Sequence, residues 1–209
     1  MTRGRLIAGA VVVAVLLAAG GFLAGRLGAP STAAPPSESA AAGFLRDMQV
    51  HHAQAVEMAM LIRDRSDDPA LRQLAYDIAI GQAGQAGQMY GLLNSWGLPQ
   101  ASSRPPMSWM SQPVIDGSSG GHDMGPTPGA MPGMASEAEL GALRDADGVE
   151  AERLFLTLMI AHHRGGLDMA EAVLARTTLG PVVSLANGII ASQTSDIEAM
   201  QAMLDARRP

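Results

Sequence analysis

Cysteine is absent from the 209-residue chain. That excludes a disulfide framework, a thiolate nucleophile and any Cys-based zinc or iron–sulfur site. Lysine is absent too, so all 14 basic residues are Arg. Aromatic residues make up only 3% of a chain that is 47% hydrophobic, and the core must therefore be built from Ala, Leu, Ile, Val and Met. Positive charge is scarce as well. The net charge is −6, and Arg3, Arg5 and Arg26 belong to an N-terminal segment without acids, which leaves 11 Arg against 20 acids elsewhere. Binding a polyanion needs a basic footprint, so nucleic acid is excluded as a partner.

Methionine is abundant instead. Its 14 copies outnumber the seven Phe, Tyr and Trp two to one. Met is a flexible, polarizable core filler, but an excess of this size asks for a second reason.

Residues 1–27 open with Arg3 and Arg5 and continue with an uncharged stretch, Leu6 to Gly25. Such a segment is expected to be an N-terminal hydrophobic helix, acting as a signal peptide or as a transmembrane anchor. Charge bias keeps the two Arg in the cytoplasm and exports the rest, so the protein is expected to be membrane-anchored facing outward, or secreted after cleavage. Residues 28–38 form a Pro/Ala-rich tether.

Beyond the tether, apolar residues recur every three or four positions from about Ser39 to Arg65. Asp68-Pro69 supplies an N-cap with Pro at the first helical position, and the second helix stops at Gly97-Leu98-Pro99. Residues 98–135 are rich in Met, Gly and Pro and predict an irregular loop. Ser136 and Glu139 form a capping box that restarts helix. Helical pattern then continues from about Val149 to Arg176, and Gly180-Pro181 opens a last helix. An internal repeat ties these pieces together: shifted by 111 residues without gaps, FLRDMQVHHAQAVEMA (44–59) falls on FLTLMIAHHRGGLDMA (155–170). The same shift carries Gln82 onto Gln193 and Met89 onto Met200. One amphipathic hairpin cannot bury its apolar face alone, so the hairpins 39–97 and 136–209 predict an all-α four-helix bundle of two duplicated hairpins.

Helical periodicity places Met48, His51 and Met58 on one apolar stripe, repeated as Met159, His162 and Met169. His51 and His162 are expected to point into the bundle, with His52 and His163 one residue step round, at the edge of that stripe. Imidazole with thioether is a soft ligand set that suits copper and favours Cu(I). On the partner helices Gln82, Gln193 and Asp196 share buried stripes and are expected to orient the inward His rings, with Asp196 making the second half the tighter site. The loop adds His122, Met124, Met131 and Met134 as further candidate ligands on a flexible tract.

At these residues the sequence resembles the bacterial family called domain of unknown function 305 (DUF305), whose members include CopM-type copper-resistance proteins. The resemblance covers roughly residues 44–96 and 136–205 and rests on F-L-x-x-M-x-x-H-H-x-x-x-x-x-M-A, met by both copies. It implies a ferritin-like fold, an exported location and copper or silver binding. Gln85 stands where the family carries a carboxylate, and Val50 and Ala161 stand where it often carries Pro.

The expected function is extracytoplasmic Cu(I)/Ag(I) binding without catalysis, buffering copper or passing it to a copper-handling protein. The alternatives are a bundle whose His pairs only pack, and a di-metal oxidase. The oxidase needs Glu-x-x-His motifs, and the chain has none.

Overall fold

The computed structural model describes residues 11, 12, 14–22, 34–117 and 130–207. The chain divides into two compact units, Met1–Ala34 and Pro35–Pro209. In the first, residues 11, 12 and 14–22 are helical and exposed. Most of the expected signal or anchor segment lies outside the described residues, and among those described no helix is long and apolar enough to cross a membrane.

The second unit is all-helical among its described residues. Helix α1 (Ala40–Arg65) starts where the Ser39 hydroxyl accepts the Ala42 N–H. Helix α2 (Pro69–Ser95) starts at Asp68, whose carboxylate accepts the N–H groups of Ala70 and Leu71. Helix α3 (Glu137–Asp145) has the predicted reciprocal capping box of Ser136 and Glu139. It breaks at Ala146 before α4 (Gly148–Leu174), and α5 (Gly180–Asp205) follows with Pro in its first turn. Such caps satisfy the first-turn N–H groups locally, so sequence alone reveals them.

Helix α1 packs along α2, α4 packs along α5, and α1 crosses α4 to close a helical bundle. Buried side chains form two clusters. One joins the start of α1 (Phe44, Leu45, Met48) to the ends of α2 and α4 and the start of α5. The other joins the end of α1 (Met58, Ile62) to the starts of α2 and α4 and to Met200 of α5. Helix α1 therefore runs antiparallel to both α2 and α4.

The described first part of the loop has no regular element beyond one 3-10 turn, but it is packed as a strap across the bundle. A single 3-10 turn, Ser108–Ser111, seats Trp109 edge-on against Phe44 with ring centres 5.8 Å apart. The backbone N–H of Met107 and the indole N–H of Trp109 both donate to Asp47, at 2.7 and 2.9 Å. Burial pushes the Asp47 carboxyl up, and the two donated hydrogen bonds oppose that shift. Arg176 donates to the carbonyls of Met110 and Gln112, and Ile115 N–H to that of Ala175. A Cβ at Gly43 would lie 2.7 Å from Trp109, so glycine makes room for the ring. The packing follows from this burial: an indole and a carboxylate satisfy each other inside, which an alternation of Pro and Gly does not advertise.

At the other end of the bundle, Glu152 is buried between Arg207 and the Ser66 hydroxyl, and Arg207 also reaches Asp68. This group ties the α1–α2 turn to the start of α4 and the end of α5.

Candidate metal centre

The four paired histidines lie where α1 crosses α4, and all four are fully buried. His51 and His162 stack with ring centres 3.8 Å apart and planes tilted by 34°. His52 flanks His51 at 6.5 Å, and His163 flanks His162 at 6.3 Å. The two sequence copies thus contribute to one continuous imidazole layer. His51 and His162 face inward, and His52 and His163, one residue step round, are enclosed by α2 and α5.

Every ring presents Nε2 to an oxygen that accepts. His51 Nε2 donates to the Pro132 carbonyl at 3.0 Å and His162 Nε2 to the His51 carbonyl at 3.0 Å. His52 Nε2 donates to Gln85 Oε1 at 2.7 Å, while Gln85 Nε2 faces the Ser192 hydroxyl. His163 Nε2 lies 3.4 Å from an Asp196 carboxylate oxygen. An acceptor opposite Nε2 assigns the proton to that nitrogen and leaves the lone pair on Nδ1. All four Nδ1 atoms are buried and have no hydrogen-bond partner among the described residues. Four unpaired imidazole lone pairs inside an apolar bundle are costly unless something accepts them.

The supporting groups differ from expectation. Asp196 reaches the outer His163, not His162, and Gln85 holds the same relation to His52. Antiparallel pairing sets this: the register that brings Gln193 over Gly166 puts Asp196, one turn on, beside His163. A Cβ at Gly166 would lie 2.3 Å from Gln193 Oε1. Gln82 and Gln193 are buried, and their amides have no hydrogen-bond partner among the described residues.

One side of the layer is closed by the turn Met131–Met134. Gln54 grips its far end, donating to the Ala135 carbonyl at 2.9 Å and accepting the Ala135 N–H at 2.7 Å. Gly133, at φ +72°, passes so close to α4 that a Cβ would fall 2.2 Å from the Ala161 carbonyl oxygen. A Cβ on Gly165 would meet the Pro132 carbonyl oxygen at 2.0 Å. Met131 packs on the first apolar cluster and Met134 is half-buried, whereas His122 and Met124 lie outside the described residues. Gly-to-Ala changes in helices ordinarily stabilise by about 1 kcal/mol. Gly84→Ala, which meets nothing within 4 Å, should do so. Gly165→Ala should instead destabilise by about 1–3 kcal/mol through overpacking, with faster hydrogen exchange at 131–135. Urea unfolding of the two variants checks the opposite signs.

The profile of the family described as Domain of unknown function (DUF305) matches residues 41–204. The chain belongs to the DUF305 family. Among solved structures, a DUF305 protein from Streptomyces coelicolor is 47% identical, with a TM-score of 0.71 over 82% of this chain and 95% of that one. A DUF305 fragment from Deinococcus radiodurans is 33% identical, with a TM-score of 0.63 over 83% and 98%. CopM in its Cu(I)-bound form is 23% identical, with a TM-score of 0.57 over 79% and 96%, and shares the fold. No curated protein matches the chain in sequence.

In this DUF305 chain burial keeps His51, His52 and His162 uncharged. Burial pushes His51 down to about 4 and His52 to about 3, the latter helped by the neighbouring His51. His162 is held well below its ordinary value by burial and by His51. Neutral imidazoles with free Nδ1 lone pairs are the form that binds metal. Among the described residues no three His, Asp or Glu side chains are grouped to hold a metal ion by themselves. Met48, Met58, Met159 and Met169 are fully buried on the same two helices. Sequence reasoning missed the carbonyls of Pro132 and His51, because a backbone oxygen has no residue signature.

Proposed function

We propose that this DUF305 protein is an extracytoplasmic binder of soft monovalent metal, Cu(I) or Ag(I), without catalytic activity. The observation that carries the reading is the set of four buried, unpartnered Nδ1 atoms at the α1–α4 crossing. Thioethers are soft donors and imidazole is a borderline one, a combination that favours Cu(I) over Zn(II). His51, His52, His162 and His163 are the imidazole ligands in this reading, with Met48, Met58, Met159 and Met169 beside them. Met131 and Met134, with His122 and Met124 earlier in the loop, are additional thioether and imidazole donors for capture.

CopM has been solved in Cu(I)-, Cu(II)- and silver-bound forms, which supports the choice of metal. The basic and apolar N-terminal segment supports export, and the Streptomyces relative is described as a candidate secreted protein. The anchor-or-signal alternative, the transfer partner and the contribution to copper tolerance belong to the same proposal. So does the ferritin-like duplication, supported by the gap-free 111-residue repeat.

Competition titrations test it. Tag-free protein is expected to bind Cu(I) and Ag(I) at least about 100-fold more tightly than Zn(II), because thioethers are poor zinc ligands. Equal or better zinc binding would refute the soft-ligand reading. Oxygen consumption with added iron is expected to stay at background.

A further inference from the structure

Six methionines of the helices are fully buried, and they sort into two sets of three. Met48, Met89 and Met169 lie in one apolar cluster, and Met58, Met159 and Met200 in the other. The first set draws one thioether each from α1, α2 and α4, and the second from α1, α4 and α5. Each set therefore contains side chains from both copies of the repeat. The 111-residue shift carries Met48 onto Met159, Met58 onto Met169 and Met89 onto Met200, so it converts each set into the other.

Apolar packing by itself does not require this match. Elsewhere in the same clusters the shift exchanges Ile62 for Val173 and Leu71 for Val182, all fully buried. Cores accept such exchanges readily. Met60 and Met203, which are not fully buried, face Glu171 and Leu92 at the shifted positions. Among the Met of α1, α2, α4 and α5, the residue recurs where burial is complete and changes where it is not.

Two members of each set also lie one turn from the imidazole layer, and the third, Met169 or Met58, lies two turns from it on α4 or α1. Met48 sits one helical turn before His51 and His52, and Met159 one turn before His162 and His163. The register that puts Gln85 against His52 brings Met89, one turn further along α2, level with Met48. The contact of Asp196 with His163 brings Met200 level with Met159 in the same way.

Building on the soft-metal reading, we infer that the protein holds two Cu(I) or Ag(I) ions, one in each set of three thioethers. Met89 and Met200 are then ligands, and the unpartnered Nδ1 atoms of the layer are the adjoining donors. Three soft donors from three helices meet the demand of a monovalent copper or silver ion without a charged cage.

The test is Ag(I) titration of the full, tag-free chain and of its Met89→Leu, Met200→Leu and doubly substituted variants. Leu nearly preserves the volume of Met, so packing is retained. The wild type is expected to take up two tightly held ions. Each single variant should keep one, with the other weakened by about 100-fold or more, and the double variant should keep none. Met60→Leu should bind like the wild type. If both Leu variants hold two ions as tightly as wild type while His51→Ala loses them, the thioethers are packing and this inference fails, with the imidazole reading intact. If the wild type binds no Ag(I), the soft-metal reading falls as well. Methyl spectra of 13C-labelled wild type provide a check that needs no variant to fold. The Met89 and Met200 resonances should move on addition of Ag(I), and their standing still would overturn the inference.

Discussion

Replacing His51 and His52 with Ala is expected to weaken Cu(I) binding as much as replacing His162 and His163, by about 100-fold or more in each case. Read as separate hairpins, the second half should dominate, because it alone carries Asp196. The structure removes that separation. The inner rings of the two halves stack 3.8 Å apart, and His162 Nε2 donates to the carbonyl of His51. Either double substitution takes out half of one layer and the stacking partner of the other half. Asp196→Asn should change affinity by less than about tenfold, since its oxygen lies 3.4 Å from the outer His163 and its side chain is 28% exposed. Chelator competition on the four proteins decides. A gap of more than tenfold between the two double variants would mean that the hairpins hold metal independently.

The second large effect is acid lability of the metal-free protein. In the unfolded chain each imidazole takes up a proton near its ordinary 6.5, whereas folding holds His51 at about 4 and His52 at about 3, with His162 lowered as well. The folded-state values lie below the unfolded ones, so unfolding takes up protons. Stability is therefore fully present above pH 6.5 and is lost progressively as pH falls toward the folded-state values. Each ring contributes a slope of roughly 1 kcal/mol per pH unit within that window. Urea midpoints measured from pH 7.5 to 4.5 should fall steeply below 6.5. A His51→Gln, His52→Gln variant should show a shallower fall. A flat profile between pH 7 and 5 would contradict the buried neutral layer. Saturating Ag(I) should shift the fall to lower pH, because metal and proton compete for the same lone pairs.

Much of this architecture is legible in the sequence because its determinants are local. Ser39, Asp68 and the Ser136/Glu139 pair mark helix starts that the structure reproduces. The inward stripe of Met48, His51 and Met58 is legible because helical period alone fixes it. The harder features are those that depend on how two helices slide past each other. Gln193 and Asp196 share a stripe, and only the axial register decides which faces His162 and which His163. The bulk-free Gly166 opposite Gln193 was the available clue, since close approach requires one partner to be small. The strap escaped for a different reason. Trp109 and Asp47 are 62 residues apart, and nothing in either segment names the other. The closing turn at Met131–Met134 works through a carbonyl oxygen and two glycines, which carry no chemical label.

The separation of the stacked rings along the chain governs when the site comes into being. His51 and His162 are 111 residues apart, and the turn that caps them arrives 81 residues after His51. Contacts of this sequence separation form late, because a long loop must close before they return any stabilisation. The first hairpin has all its local contacts as soon as α2 is complete, yet it holds only half of the layer and no complete set of thioethers. A chain emerging N-terminus first therefore passes through a stage with helices but no centre. The imidazole layer is complete only once α4 lies across α1.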